Sequence, residues 1–254
     1  MLWRFLLLLV LLVPPCVQAE QQPRVIHVVV ALCDNANQGI VKVPEGIGNG
    51  QDPSSNLYWG AMYGVKTFMS KQPDFRRMKT VNDFDKPVLE RLVFRHVPSG
   101  TIVVADAYDG AYIRHATRDF FSFAAGRQKM MVRADGRTYA AGGAAQLVVY
   151  VGHNGLMDFS LDHVPSAVDG KKREIAVFAC KSKQYFENSI RAVGAEPLVL
   201  TTHYMAPEGY VLHALVSGWA QGDAPVEIRE QVARAYAKYQ KCGMKGARAL
   251  FAVH

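Results

Sequence analysis

The chain is predicted to fold as an α/β three-layer sandwich around a mainly parallel sheet. Three observations carry this. Five short apolar runs recur along the sequence, each is followed by a polar stop, and stretches with bulky residues at helical spacing separate most of them. The runs are continuous and do not alternate, the pattern of strands covered on both faces. The 254 residues, half of them hydrophobic, suffice for one such domain, and no linker composition interrupts them.

Residues 25–32 (VIHVVVAL) are the first strand, ending at Cys33-Asp34-Asn35. A long loop containing Gly46, Gly48 and Gly50 follows, and residues 54–69 (SSNLYWGAMYGVKTFM) space Leu, Tyr, Trp and Phe as a helix with Ser54 or Ser55 as its cap. The second strand is 101–106 (TIVVAD), with a helix over 112–125; Asp106 and Asp109 are read as capping groups for it. The third strand, 146–151 (QLVVYV), stops at Gly152-His153-Asn154-Gly155. The fourth, 174–179 (EIAVFA), stops at Cys180 and a helix over 182–193 follows. The fifth is 197–202 (PLVLTT), followed by helices over 206–220 and 226–239. Ligands of such sheets gather outside the carboxyl ends of the strands. There this chain carries Cys33, Asp106, His153, Cys180 and Thr202.

Composition narrows the function. Neither disorder nor a collagen-like chain fits these proportions. The net charge of +7 is spread, with its densest runs, Arg76-Arg77 and Lys171-Lys172-Arg173, in loops, so a nucleic-acid partner is not expected. Residues 1–19 read as a signal peptide, with Arg4 in the positive region, an apolar stretch over 5–13, and Val17-Gln18-Ala19 as the cleavage site. The expected mature chain is 20–254, periplasmic or secreted, with no stable membrane insertion. Cleavage removes Cys16 and leaves Cys33, Cys180 and Cys242, an odd number that leaves at least one thiol unpaired.

The sequence lacks a G-x-S-x-G elbow, a phosphate loop, H-E-x-x-H and C-x-x-C. What remains is His153 and Cys180, each directly beyond an apolar strand in consecutive strand segments. Adjacent strands lie about 4.8 Å apart, so groups beyond their ends come within reach. A thiol becomes a nucleophile as its thiolate, for which a histidine is the usual base and a helix N-terminus a favourable neighbour. Gly155 and the Cys180 amide are the candidate oxyanion donors. His203 beyond the fifth strand, with Thr202, is a candidate substrate contact. Zinc at His153 and His203 lacks ligand spacing, and neither a metal nor another cofactor is expected.

A hydrophobic strand ending in His-Gly, then one ending in Ala-Cys, is the hallmark of the caspase-hemoglobinase fold of cysteine peptidases. VVYVGHNG and IAVFACKS resemble it. The closest likeness is to legumain-type asparaginyl endopeptidases, and AEPLVLTTHYMAPEGY is similar to the segment beyond their cysteine. The resemblance is clearest over 146–212. It implies a caspase-like fold, a peptide or protein substrate, and Asn35 as the residue that orients His153. The chain departs from the family in having His153-Asn154-Gly155 where the family has His-Gly, and in an interval of 27 residues from histidine to cysteine. Asparagine specificity is not implied, because the family's substrate-binding stretch has no counterpart between Asn35 and Leu57. The reading is an exported cysteine hydrolase, an endopeptidase or related acyl-transfer enzyme. The alternatives are a non-catalytic binding or scaffold protein on the same fold, and a structural disulfide between Cys180 and Cys33.

Overall fold

The structure is a computed structural model that describes residues 22–253. The signal-peptide segment and Cys16 lie outside the described residues. In chain order the elements are β1 (Val25–Ala31), α1 (Val65–Ser70), β2 (Phe75–Val81), β3 (Val88–His96), β4 (Ile102–Tyr108), α2 (Ile113–Ala124), β5 (Lys129–Ala134) and β6 (Arg137–Gly142). Then come β7 (Leu147–Gly152), β8 (Glu174–Phe178), α3 (Ser182–Ala192), β9 (Glu196–Thr201), α4 (Gly209–Gln221), α5 (Pro225–Gln240), α6 (Gly243–Leu250) and β10 (Phe251–Val253).

Eight strands form one sheet in the order β10-β9-β8-β7-β1-β4-β3-β2. The five central strands, β9 to β4 in that order, are parallel, and the additions at the two edges are antiparallel. The five parallel strands are the five apolar runs of the sequence. Their side chains divide between two cores, as period-two geometry demands. Ile26, Val28 and Val30 of β1 face α1, α4 and α5, whereas Val25, Val29 and Ala31 face α2 and α3. Helices on both faces of the sheet complete the three layers.

Three expectations are corrected. Residues 54–64 form turns, and only Val65–Ser70 is helical. The Asn56 side chain binds the backbone of Cys33 and Asn49, and a Cβ on Gly60 would fall 2.0 Å from the Ser54 carbonyl oxygen. That close approach is a folded-back turn that a helix excludes. Asp106 is not a cap: β4 runs on to Tyr108, and the buried Asp106 carboxylate takes two 2.6 Å bonds from Arg91 on β3. Asp109 does cap a short turn, accepting from the Ala111 N–H. The helix expected from residue 206 starts at Gly209, because 202–208 run as an irregular segment along the sheet edge.

After β1 the chain lays β2 at the far edge and returns inward through β3 to β4 beside β1, then crosses to lay β7, β8 and β9 on the other side of β1. The order therefore reverses between β1 and β7, and at such a reversal the loops diverge and leave a crevice.

Candidate functional site

The ladder sets the spacing of the two central residues. Val151 of β7 pairs with Phe178 of β8, the last partners in that register, and His153 and Cys180 each stand two residues further on. The two residues thus leave the sheet from adjacent strand ends, and both line one cleft. Gly152 makes the turn into the histidine: it holds φ at 140° and packs so closely on β1 that a Cβ would lie 2.5 Å from the Ala31 carbonyl oxygen.

Behind the cysteine the backbone is pinned at several points. Lys181 adopts the left-handed region at φ 51°, where an L-residue costs about 1 kcal/mol, and its N–H donates to the His203 carbonyl at 2.9 Å. Thr201 of β9 donates its hydroxyl to the Ala179 carbonyl, and Ser182, the first residue of α3, donates its hydroxyl to Val177 at 2.9 Å. The half-buried Cys180 sulfur accepts from the Met205 N–H at 3.4 Å. Its thiol is free, as are those of Cys33 and Cys242. The disulfide between Cys33 and Cys180 is therefore absent from this structure.

The loops beyond β7 and β8 are joined by Asn154. Its buried amide donates to the Cys180 carbonyl at 2.7 Å and accepts from the Leu156 N–H at 3.0 Å. The side chain that separates His153 from Gly155 in the sequence is thus a clamp between the two candidate loops.

His153 is buried, and its Nε2 lies 2.7 Å from Asp158 Oδ2. The same carboxylate oxygen accepts from the Gly39 N–H at 2.9 Å, tying the loop after β1 to the loop after β7. Asp158 is the residue that sequence reasoning missed. A carboxylate five residues after a histidine has no recognisable spacing, and it comes into reach only because Gly155–Met157 form one tight turn.

Asn35, the expected orienter, is placed elsewhere. Its side chain donates to the Val43 carbonyl at 2.8 Å and accepts from the Val43 N–H at 3.0 Å, closing the loop after β1 on itself. It lines a separate polar cleft with Asp34, Glu45 and Asp52. Burial pushes the Asp34 carboxyl up, but hydrogen bonds from Gln51, Asn37 and the Ala36 and Asn37 amides outweigh it and hold the group below the usual carboxylate range.

The other expected contacts divide in the same way. Gly155 is buried with Phe159 and Ile113 around its Cα, and the glycine lining the cleft with His153 and Cys180 is Gly152. Thr202 donates to the Ala249 carbonyl at 2.8 Å, and His203 is exposed with Nδ1 2.7 Å from the Thr202 carbonyl. The cleft wall on that side begins one residue later, with Tyr204 and Met205.

His153 and Cys180 open into one cleft of about 380 Å³, roofed by the loop after β1 and walled by residues 204–208. Cys33, at the end of β1, lies outside it under Tyr58 and Asn56, and burial pushes its thiol up to about 11. Among the described residues no group of histidine, cysteine and acidic side chains is arranged to hold a metal ion, and no helix is long and apolar enough to cross a membrane.

Fold and edge together define an α/β protein whose mixed, mainly parallel sheet presents a histidine and a cysteine at its point of reversal. Comparison with protein-family models, with curated proteins and with solved structures finds no match.

Proposed function

We propose that the protein is an exported cysteine hydrolase of caspase-like architecture, acting on a peptide or a related acyl compound, with Cys180 as nucleophile and His153 as base and acid. The observation that carries this reading is that both side chains line one cleft at the strand ends beside the reversal. With Nε2 engaged by Asp158, Nδ1 is the ring nitrogen left to accept the thiol proton. The N-terminus of α3 begins two residues past Cys180, and the Met205 N–H donates to its sulfur at 3.4 Å.

The Cys180 sulfur attacks the carbonyl carbon and its proton passes to His153. The Cys180 amide is the candidate donor to the resulting oxyanion. Collapse of the adduct breaks the bond to the leaving amine or alkoxide, which takes the proton from His153. A water then gives its proton to His153 and adds to the thioester, releasing the acid and restoring the thiol. Asp158 fixes the tautomer and orientation of the imidazole, the part first assigned to Asn35.

The test is alkylation of the folded protein with a thiol-reactive electrophile, mapped by mass spectrometry, alongside hydrolysis of a mixed peptide library. The expected result is selective labelling of Cys180 and loss of turnover in Cys180→Ala. Labelling that goes wholly to Cys33 or Cys242 would overturn the assignment. The contact of the sulfur with Met205 also favours a second reading, a binding protein on the same architecture, with the thiol holding the 204–208 segment in place. Peptides retained by both wild type and Cys180→Ala, with neither cleaving them, would select it.

A further inference from the structure

The cleft beside Cys180 has a chemistry of its own. The loop after β1 contributes Ile40, Val41 and Val43, Leu57 closes one end, and Tyr204 and Met205 form the opposite wall. Two of these are side chains that a folded chain ordinarily covers: Val41 is 91% and Tyr204 66% exposed, and both stand at the mouth. A cavity of about 150 Å³ lined by aliphatic and aromatic side chains holds a benzene ring, so about 380 Å³ has room for a branched or aromatic side chain with the backbone that bears it.

One carboxylate, Glu208, reaches the cleft. It is almost fully buried, its Oε2 accepts from Gln240 on α5 at 3.2 Å, and burial pushes its carboxyl above the usual range. A group so placed is a weak receptor for a cation. The apolar lining therefore sets what the pocket accepts.

We propose that this cleft is a specificity pocket for a bulky apolar side chain, of the leucine or phenylalanine kind, on the acyl side of the bond that Cys180 attacks. The inference rests on the cysteine-hydrolase reading and adds the substrate class to it. Transfer of such a side chain from water into the pocket is favourable by about 25 cal/mol per Å². An asparagine or lysine side chain in the same place loses hydration with few partners in return.

The experiment uses the full chain and a set of peptidyl chloromethyl ketones that share one backbone and differ only in the last side chain: leucine, phenylalanine, asparagine or lysine. Alkylation of Cys180 is timed by mass spectrometry, with iodoacetamide as the probe that needs no pocket. The leucine and phenylalanine reagents should react at least about 10-fold faster than the other two, the scale on which apolar pockets discriminate. Equal rates, or a preference for asparagine, would overturn the pocket and leave the nucleophile standing. A preference for lysine would overturn it in favour of Glu208 as the recognition group. If no reagent reaches Cys180, iodoacetamide included, the hydrolase reading falls and the pocket with it. Val41→Asp places a charge at an exposed position, outside the packed interior, and should reduce the leucine-to-asparagine rate ratio several-fold. An unchanged ratio would also count against the pocket.

Discussion

The ends of β1 and β8 each deliver a cysteine to the same edge of the sheet, and the two thiols have opposite surroundings. After β1 the chain spends more than twenty residues in a loop that folds back over Cys33, with Asn56 binding both its N–H and its carbonyl. After β8 the chain enters α3 at once, and the sulfur of Cys180 stays at the wall of a cleft. Position at a strand end therefore does not make a cysteine reactive. The loop that follows it decides, by covering the thiol or leaving it open.

The largest effect expected from this contrast is kinetic. With its thiol at about 11, roughly one Cys33 in 10³ is ionised at pH 8, and that fraction is also buried. Alkylation in the native state should mark Cys180 about 10³-fold faster than Cys33, and in urea the gap should close to within about 10-fold. Similar native rates would erase the contrast.

Removing the cover should come next in size. Asn56→Ala leaves the buried N–H and carbonyl of Cys33 without their partners, a loss of about 2–4 kcal/mol in denaturant unfolding, accompanied by faster labelling of Cys33. Labelling unchanged despite lower stability would mean that Tyr58 alone covers the thiol.

On the open side, Asp158→Asn keeps the shape but replaces the carboxylate that holds His153 Nε2. Alkylation of Cys180 by a peptidyl reagent should slow about 10-fold, because the imidazole loses the group that fixes its orientation. Asn35→Ala should leave that rate unchanged, since the amide serves Val43.

The smallest effect lies in alkaline stability. The folded state raises the Cys33 thiol from its usual 9.0 to about 11, so it holds that proton more tightly than the unfolded chain does. The contribution to stability is full below about 9 and declines as pH rises toward 11. Cys33→Ala should flatten the fall in stability across that window, measured as the denaturant midpoint against pH.

The sequence made the parallel strands legible because they are buried on both faces, so nearly every residue in them is apolar. It also placed His153 and Cys180 at neighbouring strand ends, since polar stops after apolar runs mark the edge of a layer. The antiparallel edge strands were less visible. β2 reads Phe-Arg-Arg-Met-Lys-Thr-Val and β5 Lys-Met-Met-Val-Arg-Ala, edge strands whose exposed charges break the apolar run. A clearer signal was Asp135-Gly136, both at positive φ between β5 and β6, the dipeptide that a tight hairpin turn selects. The segment 54–64 misled because its aromatic residues have helical spacing, although Tyr58 and Trp59 are buried from within a turn. The His153 to Asp158 bond and the Asn154 clamp belong to loops, where spacing along the chain says little about distance.

The register that brings His153 and Cys180 to adjacent strand ends also frees the segment between them. Their strand ends are held by the β7 and β8 ladder and by one asparagine bridge, so most of the chain from Ser160 to Lys172, which carries neither, can change length while the two ends keep their place. Insertions, a grafted recognition loop or a cut backbone in that stretch would give a two-piece protein, or an altered one, with the same histidine and thiol lining the same cleft. Such a segment is where new specificity can be added to an old edge without rebuilding it.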